Sequence, residues 1–222
     1  SDTQGENGQS TDEGGSDIPN IDLTVAIGFE PTTLNNHNAN DANTNFFCSM
    51  LYGSLTNFDE NNEMVPDLAE SWEWIDDTHI RFNLRQGVKW HNGEEFTADD
   101  VLYSIQDACA SSFVSTIDCV NPDDITVVDD YTIEVGLFNY DAGLLANLGG
   151  ISILNREATE NVDAATYDEN PVGTGPFRFV SRTPQENFIM ERFEDYWGAP
   201  AWLDKVTYKI CENADALVMN LN

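Results

Sequence analysis

The stretch Leu84–Val101, "LRQGVKWHNGEEFTADDV", decides how the chain is read. His91 is followed by Glu94, Glu95, Asp99 and Asp100, and as a roll of reactive groups that suggests acid/base or metal chemistry. Read as backbone, it suggests something else. Upstream, "THIRFNLR" places Ile80, Phe82 and Leu84 on one side and His79, Arg81, Asn83 and Arg85 on the other, the period-two pattern of a half-buried antiparallel strand. His79 is then an exposed strand residue. After a Gln86-Gly87 turn, Val88 and Trp90 continue the alternation, and "HNGEE" turns the chain again, with Gly93 free to take positive φ behind Asn92.

Thr97 then reads as a helix N-cap. Asp100, three residues on, completes an approximate capping box, and Asp99 and Asp100 both complement the positive end of the helix. Val101, Leu102, Ile105, Ala108 and Cys109 give an amphipathic helix of about three turns. Losing the Thr97 cap should cost on the order of 1 kcal/mol. Strand, turn and capped helix account for nearly every position.

The chemical alternatives fail on spacing. A zinc peptidase needs a second His four residues after the first, with a Glu between, and "HNGEE" lacks it. "GTGPFR" from Gly173 runs into Pro176 and a strand rather than a Gly-Lys-Ser/Thr phosphate loop, and the third glycine of a dinucleotide fingerprint is missing. Its glycines are expected to permit a chain turn. No Gly-x-Ser-x-Gly elbow is present. Forty acidic residues guarantee accidental carboxylate pairs, so Glu94, Glu95, Asp99 and Asp100 give little support to a glycosidase. The expectation is a protein that is not an enzyme and needs no cofactor or metal.

Working outward, "DLTVA" (22–26) is a first strand, and an Asn-rich loop leads into a helix with Phe47, Met50, Leu51 and Leu55 at helical spacing and Thr44 or Asn45 as N-cap. In "VPDLAESW", Pro66 limits helix entry, and Leu68, Ala69 and Trp72 are expected to form one packed helical turn. "DDITVVDDYTIEVGLF" holds two strands, with Ile125, Val127, Ile133, Val135 and Leu137 facing inward. "AGLLANLGG" reads as a helical turn and "NVDAATYDEN" as loop. Strands follow at Phe177 and Phe179, at "NFIMERF" and at "KVTYKI". "ENADALVMNLN" begins a helix that looks cut in mid-element.

A net charge of −31, from 40 Asp and Glu against 9 Lys and Arg, repels phosphate backbones and anionic membranes, so nucleic acid is not an expected partner. The acidity reads as a solvated surface. Residues 1–20 are almost entirely polar and read as a flexible tether, such as follows the lipid-bearing cysteine of an exported lipoprotein. There is no apolar run long enough to span a bilayer. Cys48, Cys109, Cys119 and Cys211 lack CxxC spacing, which favours disulfide chemistry over zinc. A bridge from Cys109 to Cys119 would close a loop of about ten residues and contribute roughly 2.5 to 3 kcal/mol. A Cys48–Cys211 pairing stays open beside it, since four cysteines allow three connectivities.

Three elements in order, Pro66–Trp72 ("PDLAESW"), Leu84–His91 ("LRQGVKWH") and Thr97–Val101 ("TADDV"), strongly resemble the extracytoplasmic solute-binding proteins of dipeptide, oligopeptide and nickel ABC transporters. The resemblance continues through "PVGTGPFRFV", "RFEDYWG" and "LDKVTYKI", so it covers the chain from Ile21 to its last residue. It departs at Leu34–His37, "LNNH", where relatives often carry Leu-Asp-Pro-His. Relatives are also about twice as long.

The resemblance implies an α/β periplasmic-binding-protein-like architecture. Residues 21–55 and 170–222 would form an incomplete, discontinuous first lobe with a mixed sheet, and 56–169 an inserted α/β domain; the second lobe would be absent. It implies a monomer that captures peptide or another small solute and presents it to an ABC permease, outside the cytoplasm at the cell surface or in the periplasm. A lipid anchor would be its tie to the membrane. Asn40, Asp41 and Ala42, just after the Leu-x-x-His element, would border the ligand, with Phe113 as a wall residue. The rivals are a binder of oligosaccharide, nickel chelate or haem on the same fold, and a surface glycoside hydrolase or carbohydrate-binding module.

Overall fold

A computed structural model describes residues 21–39 and 41–211. Two four-stranded sheets organise it. The first is assembled from both ends of the described chain: β1 (Asp22–Ile27) pairs in parallel with β10 (Lys205–Ile210), which continues antiparallel through β9 (Asn187–Arg192) to β8 (Phe177–Thr183). The parallel pair explains why so much chain separates its strands, since parallel neighbours require a long crossover. Here that crossover contains the second sheet.

The second sheet runs β4 (Ala69–Trp74), β5 (His79–Leu84), β7 (Thr132–Leu137) and β6 (Val120–Asp129), all antiparallel. A two-stranded ribbon, β2 (Thr56–Phe58) with β3 (Met64–Pro66), precedes it. Helix α2 (Ala98–Ala110) buries Val101, Ile105 and Ala108 in a core that includes Phe82, Trp90, Phe96, Ile133 and Val135. Helix α1 (Ala42–Leu51) packs Phe47 and Leu51 into a separate core with Phe188, Met190, Val206 and Tyr208 of the first sheet. Short helices α3 (Leu144–Leu148), α4 (Arg156–Thr159) and α5 (Ala164–Glu169) carry the chain back toward the first sheet.

The strand, turn and helix of the Leu84–Val101 region form as expected. Ile80, Phe82 and Leu84 are buried and Gly93 takes φ of 91°. At the start of α2, Asp100 accepts from Thr97 N–H at 3.0 Å. Ile133, Val135 and Leu137 are buried as anticipated, with Ile125 and Val127 packed at the margin.

Three readings are corrected. The packed helical turn expected at Leu68–Trp72 is extended backbone: Leu68 N–H bonds Ser54 O at 2.9 Å, and Trp72 and Trp74 pair with Phe82 and Ile80 of β5. Short apolar runs fit either state, and pairing with a committed neighbouring strand decides. Helix α1 starts earlier than Thr44, because the Asp41 carboxylate accepts from Thr44 N–H at 2.9 Å and caps it. The 161–170 loop contains α5, capped by Asp163, and α4 before it is capped by Asn155. The predicted C-terminal helix and the N-terminal tether lie outside the described residues.

Candidate functional site

Residues 33–39, between β1 and α1, run through a dense net of hydrogen bonds. Asp168 of α5 accepts from Thr33 Oγ1 at 2.9 Å and from Leu34 N–H at 2.6 Å. Tyr52 donates its hydroxyl to Leu34 O at 2.7 Å and meets the Tyr167 hydroxyl at 2.8 Å. Burial of both phenols pushes their ionisation well above the ordinary range. They are fixed hydrogen-bonding groups, not acid/base groups. His37 is buried between Asp107 of α2 and the Ser152 carbonyl, and Ser111 donates its hydroxyl to the His37 carbonyl.

This fastened segment forms a wall shared by two small cavities, of about 140 and 120 Å³. The first is closed by Ala39 and Asn45 on one side and by Phe113–Thr116 and Ile151 on the other. The second lies beyond Asn36, Asn45 and Gly150, which line both, and is polar, with Ser49, Asn57, Asp67 and Ser152. Asn36 Nδ2 donates to Gly150 O at 3.2 Å across the boundary. The geometry suits a small polar solute with an apolar portion against Phe113, whose ring is 53% exposed.

The sequence candidates fall unevenly about this place. Phe113 lines the first cavity. Ala42 is exposed in the first turn of α1. Asp41 caps that helix with both oxygens engaged by Thr44, whose backbone N–H is the main cause holding the carboxyl below its usual range. Asn40 lies outside the described residues. Sequence reading missed Asn36, Asn45 and Gly150; the only signal was an Asn-rich loop, which carries no period. Cys109 and Cys119 are not joined to each other, so the expected bridge is not formed. Burial pushes the Cys109 thiol up to about 11 and the Cys48 thiol to about 12, which makes both poor nucleophiles.

The acidic neighbours of His91 line a surface depression with Glu157 and Glu160, but three of the four are already engaged. Asp100 accepts from Thr97 N–H, from Trp90 Nε1 at 3.2 Å and from Arg156 N–H at 3.0 Å. Burial raises its pKa against these bonds. Glu94 accepts from Asn92 and Asn155, and Glu95 from Tyr131. Among the described residues no group of three or more His, Cys, Asp or Glu is placed to hold a metal ion. His91 Nε2 donates to Gly175 O at 3.0 Å and Nδ1 accepts from Gly173 N–H at 3.2 Å, a structural pairing.

Two sheets, two cores and a small polar cavity walled by loops describe part of a solute-binding protein rather than a reaction centre. The family model for the middle region of bacterial extracellular solute-binding proteins, family 5, matches residues 63–222, and the chain belongs to that family. It is a family of binding proteins, not enzymes. The oligopeptide-binding protein AppA of Bacillus subtilis is 32% identical over 213 residues, covering 90% of this chain and 39% of the relative. Heme-binding protein A of Haemophilus influenzae is 32% identical over 220 residues, covering 85% and 39%. The solved structure of NikZ from Campylobacter jejuni in complex with Ni(L-His) superposes with a TM-score of 0.81 at 26% identity, over 92% of this chain and 42% of that one. The chain thus spans about two fifths of the length of the relatives it matches. Family members bind peptides and related ligands for ABC import and are extracytoplasmic. Among the described residues no helix is long and apolar enough to cross a membrane.

Proposed function

We propose that this chain supplies one wall of the binding cleft in a monomeric, extracytoplasmic protein that captures peptide and delivers it to an ABC permease, with residues 1–20 as a tether to a lipid anchor. The observation that carries this reading is the convergence of Asn36–Ala39, the Phe113 loop and Gly150–Ile151 on one cavity. Residues 21–55 and 170–222 form the solute-facing lobe, and 56–169 the inserted domain; the two separate four-stranded sheets, one of β1 and β8–β10 and one of β4–β7, support that division. Ala42 and Phe113 border the solute, and Asp41 acts by fixing the start of α1. Closure of a second lobe over this wall completes the site, as hinge closure does in binding proteins of this kind.

Heme-binding protein A and the NikZ complex support a second reading, in which the solute is haem or a nickel chelate rather than peptide. Mass spectrometry of the ligand that co-purifies with the full-length protein separates the two. Calorimetry then tests the division of labour: peptide binds the full-length protein, while the 222-residue chain alone binds it weakly or not at all. Micromolar affinity in the isolated chain overturns the shared-cleft reading.

A further inference from the structure

His37 has no exposed surface, yet both of its ring nitrogens face acceptors: Nδ1 lies 2.8 Å from Asp107 Oδ2 and Nε2 lies 3.0 Å from Ser152 O. A neutral imidazole carries one N–H and satisfies one of these contacts. Its other nitrogen would then set a lone pair against a lone pair at hydrogen-bonding distance inside a fully buried site. One added proton converts both contacts into donated hydrogen bonds and makes the bond to Asp107 charge-assisted. Placing that proton on Asp107 instead would neutralise a side chain that is 35% exposed, where water already solvates the carboxylate.

Helix α2 contributes Asp107 to the ring and carries Tyr103 and Cys109; the loop after it carries Asp118, and α1 carries Cys48 and its cap Asp41. Residues 150–155 hold no titratable group, so their contribution is the Ser152 carbonyl. Asp107 is the carboxylate that meets the ring. His37 also donates its own N–H to Asn35 Oδ1 and accepts from Ser111 at its carbonyl. It is therefore tied to three of the segments that wall the 140 Å³ cavity: its own turn with Asn36 and Ala39, the Phe113 loop through Ser111, and Ile151 through Ser152.

We propose that His37 is held as an imidazolium and acts as a positioning residue, its charge fixing Ala39, Phe113 and Ile151 in one arrangement around the solute cavity. The consequence for binding rests on the cavity being the solute site; the charge state does not. In the isotopically labelled 222-residue chain at about pH 7, nitrogen NMR is expected to show both His37 ring nitrogens protonated. In Asp107→Asn the side-chain amide can donate to Nδ1, so the ring is expected to become neutral and the amide signals of Ala39, Phe113 and Ile151 to move together. A neutral ring in the unsubstituted chain overturns the proposal and needs no variant that must fold. A charged ring with those three signals unmoved in a folded Asp107→Asn overturns the positioning role. Failure of the full-length protein to bind any peptide would sink the functional reading and leave the ring measurement as it stands.

Discussion

The imidazole of His91 is gripped by two glycines of one loop, donating to Gly175 O at 3.0 Å and accepting from Gly173 N–H at 3.2 Å. The ring is thereby fixed as the Nε2–H tautomer. The backbone joins in, since His91 N–H donates to Gly173 O at 2.9 Å. This turn of the second-sheet region and the Val172–Pro176 segment entering β8 are thus one unit. Burial, more than any other cause, pushes the His91 pKa down to about 4.

That depression sets a pH dependence. A folded value near 4 against an ordinary value of 6.5 means the unfolded chain binds more protons between those limits. His91 therefore contributes stability that is fully present above pH 6.5 and is lost as pH falls toward 4. The whole contribution is about 3 kcal/mol at most. Urea unfolding at several pH values checks this: the slope across that window should be clearly shallower in His91→Gln than in the unsubstituted chain. Equal slopes would show that another group carries the acid sensitivity.

The glycines of "VGTG" are required by space rather than by a turn. A Cβ built on Gly173 would sit 1.8 Å from Leu51 O, and one on Gly175 2.5 Å from Met50 O, both rigid backbone of α1. Gly173→Ala should therefore lose about 3 kcal/mol or more, since neither side can yield. Gly87→Ala is the control, with φ of 73° but open space around it, and should lose about 1 kcal/mol. Thermal melts by circular dichroism separate the two, and similar losses would mean that the α1 contact is not tight.

Asp100 predicts a large loss beside a small one. It joins the start of α2, the Trp90 indole and the first residue of α4, whereas neighbouring Asp99 is exposed. Asp100→Ala strands three buried or half-buried donors and should cost roughly 2 to 4 kcal/mol. Asp99→Ala should stay within about 0.5 kcal/mol. Equal losses, measured by denaturant titration, would contradict the hub role.

These contrasts show what the sequence made legible. The Leu84–Val101 stretch was readable because strand alternation, the Asn92-Gly93 turn and the Thr97 cap are local, and each fixes backbone geometry without reference to distant chain. The strands of the first sheet were readable one by one, but local pattern could not pair them, because β1 meets β10 across most of the chain. Strand β4 was missed for a similar reason: "DLAESW" becomes a strand by pairing with β5. At the candidate site Phe113 was named through the family resemblance, and it lines the cavity. Asn36 and Gly150 were not, since a loop residue's role depends on which distant loop it meets.

Phe113 and Asp41 should separate binding from folding. Phe113 is half exposed on the cavity wall, so Phe113→Ala removes little packing and should leave the melting temperature within about 1 °C. In the full-length protein it should weaken solute binding by roughly tenfold, the loss expected of one aromatic wall contact. Asp41→Ala should behave oppositely. It removes the cap of α1, costs about 1 kcal/mol of stability, and affects binding only through the placement of the helix that carries Asn45. Calorimetric titration alongside thermal melts reads both quantities on the same samples. A Phe113→Ala protein that binds as tightly as the unsubstituted one would move the solute away from this cavity.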